Sequence, residues 1–73
     1  MSMVYLANVP SIAYDGGVAF YTPHEHVVVD YPSLDQPSYT VMSCESYRTI
    51  RRINDFATAM DTAARFLKRA EPA

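Results

Sequence analysis

The densest group of metal-ligating side chains in the chain is His24-Glu25-His26. Side chains alternate between two sides of an extended segment, so both imidazoles would project the same way. A structural zinc site usually takes four protein ligands and a catalytic site takes three. The chain has only two histidines and one cysteine, Cys44. We therefore interpret the segment as a surface turn and expect no bound metal.

Nucleophilic catalysis would need Cys44 or a serine next to a base and an orienting acid. Cys44 ends the mostly apolar segment 41–44, where a small core residue is the simpler interpretation. No serine lies in a Gly-x-Ser-x-Gly pattern, and the chain has no glycine-rich phosphate loop. We therefore expect a protein that is not an enzyme and that uses no cofactor.

The charges of the chain are divided along its length. All six basic residues lie at or after Arg48, whereas the 47 residues before it contain five acidic residues. The first part thus carries a net charge of −5 and the last 26 residues carry +3. Because charge placement decides which surfaces a small protein approaches, the first part is expected to favour a basic partner.

The densest basic cluster is Arg48, Arg51 and Arg52, with Tyr47 beside it. Arginines bind phosphates and a tyrosine can stack on a base, so this cluster indicates nucleic-acid binding. Against this, the pI is about 5.4, and a strand would point Arg51 away from the other two arginines. The simpler interpretation is intramolecular pairing with acidic residues, namely Asp30, Asp35 or Glu45.

Tyrosines and carboxylates lie close together in the acidic part of the chain. Tyr14 precedes Asp15, Tyr31 follows Asp30, and another tyrosine lies four residues before Glu25. Carboxylates pair with a partner's arginines and lysines, and tyrosines supply rigid contact area with a polar tip. The predicted partner-binding residues are Tyr14, Asp15, Tyr21, Glu25, Asp30 and Tyr31. Asp35 extends this set through the proline loop, residues 32–38.

A chain of 73 residues is expected to form one domain, residues 1–73, with marginal stability. We therefore expect extra burial from a partner or from a homodimer. No positively charged leader followed by an apolar run is present, and no stretch approaches the roughly 20 apolar residues of a membrane span. The expected location is the cytoplasm, away from the membrane.

Runs of β-branched and aromatic residues separated by turn residues predict strands over residues 3–7, 12–14, 18–22, 27–31 and 39–44. Asp15-Gly16-Gly17 predicts a tight hairpin turn in which glycine supplies positive φ. Residues 47–53 fit a strand or a helix, and we favour the strand. Residues 1–53 are thus predicted to be mostly strands and turns.

The last part of the chain predicts an amphipathic helix over residues 54–70. Phe56, Met60, Ala63 and Leu67 form one apolar stripe at helical spacing. Asn54 or Asp55 is a potential N-cap, and Thr58 with Asp61 is a potential capping box. The predicted fold is α+β, a small antiparallel sheet of three to five strands with this helix packed on one face.

The chain resembles small phage-encoded inhibitors of bacterial defence, anti-CRISPR proteins in particular. It shares with them its size, acidity, tyrosine content and layout, in which strands around Asp15-Gly16-Gly17 precede one helix. This resemblance implies a stoichiometric inhibitor that binds an effector complex in the host cytoplasm, by imitating DNA or by obstruction. The hairpin and the following helix also resemble HicB-like antitoxins.

We thus expect a non-enzymatic inhibitor that blocks a basic, nucleic-acid-binding surface of a larger effector complex and does not itself bind nucleic acid. The alternative is a small nucleic-acid-binding or antitoxin-like regulator that uses Arg48, Arg51 and Arg52.

Overall fold

The structure is a computed structural model that describes residues 9–70, with side chains to residue 67. Within these residues five strands precede one helix. The elements are β1 (Ser11–Tyr14), β2 (Gly17–Tyr21), β3 (His26–Asp30), β4 (Tyr39–Ser43), β5 (Thr49–Ile53) and α1 (Phe56–Ala70). Each predicted strand from residue 12 onward coincides with one of these within one or two residues, whereas the strand predicted at 3–7 lies outside the described residues.

The strands form one antiparallel sheet in the order β1-β2-β3-β4-β5, so each strand pairs with its neighbour in sequence. Strands β1 and β5 are the edges of this sheet. With α1 packed on the sheet, the predicted α+β class is confirmed. Among the described residues, no helix has the length and apolar character needed to cross a membrane.

One face of the sheet is buried under α1. The inward positions of the two central strands are Val27, Val29 and Val41, and each is completely buried. They pack in one cluster with the apolar stripe of the helix, including the fully buried Ala63 and Leu67. Burying an aliphatic side chain completely contributes about 1.5–3 kcal/mol. The alternation of strand side chains and the 3.6-residue helical repeat together produce this core.

The helical stripe differs from the predicted one at its first residue. Met60, Ala63 and Leu67 are buried as predicted, but Phe56 is 43% exposed. Phe56 is the first residue of α1, and its ring reaches the tyrosines Tyr31 and Tyr39 at the end of the sheet. The prediction that Phe56 belongs to the core was therefore wrong.

Of the predicted capping arrangements, Asp55 forms the N-cap. Its Oδ2 accepts a hydrogen bond from the Thr58 amide at 3.0 Å, and its Oδ1 accepts one from the Thr58 hydroxyl at 2.7 Å. These hydrogen bonds stabilise the carboxylate and lower the pKa of Asp55. The cap satisfies a backbone amide that has no partner within the helix.

Strand β5 contains a β-bulge. Tyr39 pairs with Ile53 and Val41 pairs with Ile50, so Arg51 and Arg52 together lie opposite a single residue of β4. Arg52 has a positive φ of 65°. A bulge and two charged side chains are features that discourage further strand pairing at a sheet edge.

The hairpin predicted at Asp15-Gly16-Gly17 joins β1 to β2, but the backbone conformation of its turn differs from the prediction. No glycine among the described residues has a positive φ, so this turn is not one of the primed types that need left-handed residues. Gly17 is required for space instead. A Cβ there would overlap the carbonyl oxygen of Val29 and lie 3.0 Å from the phenol oxygen of Tyr14.

The two adjacent glycines allow a matched test of this steric requirement. We expect Gly17→Ala to lower the free energy of unfolding by about 1–3 kcal/mol, because backbone must move to admit the methyl group. At Gly16 the nearest atom to an added Cβ is Tyr14 Cε2 at 3.6 Å, an ordinary contact. Gly16→Ala should therefore change stability by less than about 0.5 kcal/mol in urea unfolding. Equal effects of the two substitutions would contradict this account.

The Asp55 cap should give stability a distinct pH dependence. Its pKa is lower in the folded chain than the unfolded value of about 3.9, so its stabilisation is complete above that value and is lost as pH falls through the folded pKa. We expect Asp55→Ala to lower Tm at pH 7 and to approach wild type in acid. Asp55→Asn keeps a capping oxygen without the charge, so the difference in Tm between Asp55→Asn and Asp55→Ala should not vary with pH. A difference in Tm between wild type and Asp55→Ala that is constant with pH would contradict the assignment of Asp55 as the N-cap.

Candidate functional site

One end of the sheet collects acidic and aromatic side chains from five segments of the chain. At this end β1, β3 and β5 finish, β2 and β4 begin, and α1 starts. We call it the acidic aromatic end, and its residues are Tyr14, Asp15, Asp30, Tyr31, Asp35, Tyr39, Asp55 and Phe56. Five of the seven predicted partner-binding residues lie there. The convergence follows from the antiparallel order, which brings alternate strand ends together.

A tyrosine and an aspartate are joined across this end. The Tyr14 hydroxyl donates a hydrogen bond to Asp30 Oδ1 at 2.7 Å. In the strand register Gly17 lies between them, and its lack of a side chain leaves room for the tyrosine ring. Desolvation and the hydrogen bond to Asp30 raise the pKa of the Tyr14 phenol. The pair therefore holds a carboxylate and an aromatic ring, 43% exposed, in one fixed arrangement.

Three aromatic rings form a second group at the same end. Tyr31, Tyr39 and Phe56 have ring centroids 6.1–6.4 Å apart and interplanar angles of 60–75°. Such tilted and edge-to-face arrangements are favourable for aromatic rings. The Tyr31 amide also donates to the Gly16 carbonyl at 2.8 Å, which links the trio to the β1–β2 turn. Tyr31 is 38% exposed, so part of the trio faces solvent.

The proline loop between β3 and β4 extends the acidic aromatic end. The Ser33 amide donates to the Gln36 carbonyl at 2.8 Å, and the Gln36 amide donates to Ser33 Oγ at 3.2 Å. The Gln36 side chain donates to the Thr40 hydroxyl of β4. This held loop presents Asp35 to solvent and leaves Leu34 fully exposed.

The carboxylates at this end have no basic ion-pair partner among the described side chains. The ion pairs in that part of the chain are His26–Glu45 at 3.8 Å and Arg65–Asp61 at 3.3 Å. Arg51 and Arg52 lie on β5 opposite Thr40, two strand spacings or about 10 Å from Asp30 of β3, and form no ion pair with it. The charges of Asp15 and Asp35 are therefore open to an outside partner.

Two predicted partner-binding residues lie at the opposite end of the sheet. Tyr21 is the last residue of β2, where its ring packs edge-on against His26 at a centroid distance of 4.8 Å. Glu25 is only 5% exposed and accepts a hydrogen bond from the Ser43 hydroxyl. A buried carboxylate cannot meet a partner's surface, so Glu25 does not belong to the site.

The three arginines do not lie together. Arg48 is near the Ser43 end of β4, whereas Arg51 and Arg52 lie opposite Thr40, whose partner in β3 is Asp30. The Arg48 guanidinium lies 5.3 Å from the ring centroid of Phe66 on the helix side. Arg51 and Arg52 share the bulge of β5. None of the three forms an ion pair within the described part of the chain, so the predicted intramolecular pairing was wrong. Arg48 is instead stabilised by a cation–π contact.

The histidine segment has its own hydrogen bonds. The His26 amide donates to Glu45 Oε1 at 2.8 Å, and this bond is the largest cause of a lowered pKa for Glu45. Cys44 is half-buried, and desolvation raises the pKa of its thiol. Over the described residues, no group of three or more His, Cys, Asp and Glu side chains could hold a metal ion.

Sequence reasoning missed three contributors to the acidic aromatic end, namely Tyr39, Asp55 and Phe56. Tyr39 was assigned only to a strand, and the other two only to the helix and its cap. Their positions in the chain could have indicated them, because all three lie at or next to the start of a strand or helix. In an antiparallel sheet followed by a helix, those starts meet at the end where Tyr14 and Asp30 finish their strands.

The buried Glu25 carboxylate gives a direct test of its surroundings. Its Oε1 has no hydrogen-bond partner among the described residues. Glu25→Gln keeps an acceptor for the Ser43 hydroxyl, so it should retain more stability in thermal unfolding than a substitution that removes the acceptor. Glu25→Ala loses the hydrogen bond and should cost about 1–3 kcal/mol. A glutamine variant as unstable as the alanine variant would refute this description.

Comparison with known proteins yields no relative for this chain. No protein-family model matches the sequence, and no curated protein shows a significant match. No solved structure matches significantly either. The functional assignment therefore depends on the chemistry of the acidic aromatic end.

Proposed function

We propose that this chain is a non-enzymatic binding protein whose acidic aromatic end occupies a basic surface of a larger protein or nucleoprotein complex. The observation that supports it most is the convergence of Tyr14, Asp15, Asp30, Tyr31 and Asp35 at one end of the sheet. These side chains come from separate segments, and their carboxylates have no ion pair with a described basic residue.

The two residue types would contribute differently to such a complex. Carboxylates steer association with a basic surface and set its specificity. Aromatic rings supply desolvated contact area, which governs how slowly the complex dissociates. At the acidic aromatic end the rings are held by one another and by the Tyr14–Asp30 hydrogen bond of 2.7 Å. Little side-chain entropy is then lost on binding.

The biological role in this proposal is inhibition. A protein that covers a basic nucleic-acid-binding surface prevents nucleic acid from reaching it and needs no catalytic residue. The resemblance to phage-encoded anti-CRISPR proteins suggests a nucleoprotein effector complex in the host cytoplasm as the target. Both imitation of DNA charge and simple obstruction are compatible with a carboxylate-bearing end.

The alternative is a nucleic-acid-binding regulator that uses the arginines. The position of Arg48 makes it the weaker proposal, because this residue packs on Phe66 at the helix side and does not share a surface with Arg51 and Arg52 in the bulge. Arg51 and Arg52 are exposed on the edge strand and give the alternative its remaining support. Direct nucleic-acid binding would weaken steeply with rising salt, which distinguishes it from a protein complex with aromatic contacts.

The tagged chain used as bait in host-cell lysate, with and without nuclease, would test the proposal. We expect recovery of a basic protein or complex that is resistant to nuclease, identified by mass spectrometry. Recovery that disappears with nuclease would favour the arginine-based alternative.

A pair of matched double variants would then locate the surface. Asp15→Asn with Asp35→Asn removes two charges from the acidic aromatic end. The side chains of these two residues form no hydrogen bond with the described part of the chain. Glu45→Gln with Asp61→Asn changes the net charge equally but elsewhere. We expect the first pair to weaken partner binding about ten-fold and the second to have little effect, as measured by titration calorimetry. Equal weakening by both pairs would mean that net charge, not this site, determines binding.

A further inference from the structure

A groove of about 260 Å³ runs between edge strand β5 and helix α1. Its lining combines apolar side chains, threonines and two arginines: Ile50, Ile53, Phe66, Thr58, Thr62, Arg48 and Arg65. Ile50 is 40% exposed, whereas Ile53 and Phe66 are buried, so Ile50 is the apolar side chain of the groove that is open to solvent. The volume is below the usual range of about 300–1,000 Å³ for small-molecule sites, and suits a single inserted side chain.

The polar groups of the groove differ in what they can still bind. The Thr62 hydroxyl donates to the Thr58 carbonyl at 2.8 Å, and the Thr58 hydroxyl donates to Asp55. Arg65 uses one nitrogen for Asp61 at 3.3 Å. A guanidinium carries five N–H donors, so Arg48 and Arg65 retain donors for another carboxylate. The groove is therefore complementary to an apolar side chain with a carboxylate next to it.

The same chain presents that combination on its proline loop. Leu34 has a relative exposure of 104%, the highest among the exposed large apolar residues described. Asp35 follows it directly and is also exposed. The hydrogen bonds between Ser33 and Gln36 hold the loop, so Leu34 projects from a defined position. Insertion of this leucine would therefore cost little loop entropy.

We propose that Leu34 and Asp35 of one copy insert into the β5–α1 groove of a second copy, so that the chain self-associates head to tail. Leu34 packs on Ile50, and the Asp35 carboxylate meets the guanidinium groups at the groove. The charge division of −5 and +3 along the chain favours this orientation. Because the two contact surfaces differ, the contact is heterologous and produces a ring or an open chain.

Purified protein without any partner tests this proposal separately from the proposed function, since a lysate target plays no part. Sedimentation velocity over a wide concentration range should give a mass that rises above that of one chain. Added salt should reduce association, because it screens the carboxylate–guanidinium attraction. Leu34→Asn in the loop, and Arg48→Glu or Ile50→Gln in the groove, should each raise the apparent Kd at least about ten-fold. Circular dichroism melting confirms that each variant is folded.

Ile12→Asn is the matched control for Leu34→Asn. Ile12 is a large apolar side chain, 59% exposed, on the opposite edge strand β1. Its replacement should leave self-association unchanged. Dissociation by Ile12→Asn but not by Leu34→Asn would overturn the proposal and locate the contact on the β1 side of the sheet.

Mixing two defective variants gives the sharpest test. Leu34→Asn retains an intact groove, and Arg48→Glu retains an intact loop, so the mixture contains one functional contact. We expect each variant alone to be a monomer and the mixture to form 1:1 dimers that do not grow further. Wild type that remains a monomer at all concentrations, or a mixture that stays monomeric, would overturn the proposal.

Discussion

The packing of α1 on the central strands is the interaction on which the rest of the structure depends. Val27, Val29 and Val41 reach complete burial only because the helix stripe around Leu67 covers them. This contact commits one face of the sheet to the core. It also fixes where the helix starts, and thereby brings Phe56 to the tyrosines at the end of the sheet. The acidic aromatic end is thus a by-product of core packing as much as of its own contacts.

Polar contacts then connect the segments that meet at that end. The Tyr31 amide to Gly16 carbonyl bond joins the exit of β3 to the first hairpin, and the Tyr14–Asp30 bond joins the same two regions through side chains. The aromatic trio adds β4 and α1 to this network. Because separate segments support one another, this surface remains ordered although its carboxylates form no ion pair with the basic residues that the structure describes.

Sequence periodicity predicted the strands and the helix well, because alternation and the 3.6-residue repeat are local properties. The errors occurred where a side chain's environment is set by a distant residue. Glu25 is buried where it meets Ser43, which lies 18 positions away at the end of β4. Gly17 is required by the approach of Val29, not by its own φ. Arg48 finds Phe66 on the helix instead of a carboxylate. No local pattern encodes these three pairings.

The strand order also bears on how quickly the chain folds. Each strand pairs with its sequence neighbour, so every connection in the sheet is a hairpin and no long crossover is needed. Closing such short loops costs little entropy, and folds dominated by near-neighbour pairing reach the native state rapidly. An inhibitor that binds its target one to one is effective only when its folded copies are as numerous as its targets. For the inhibitor proposed above, the meander order would shorten the delay between synthesis of the chain and saturation of its target.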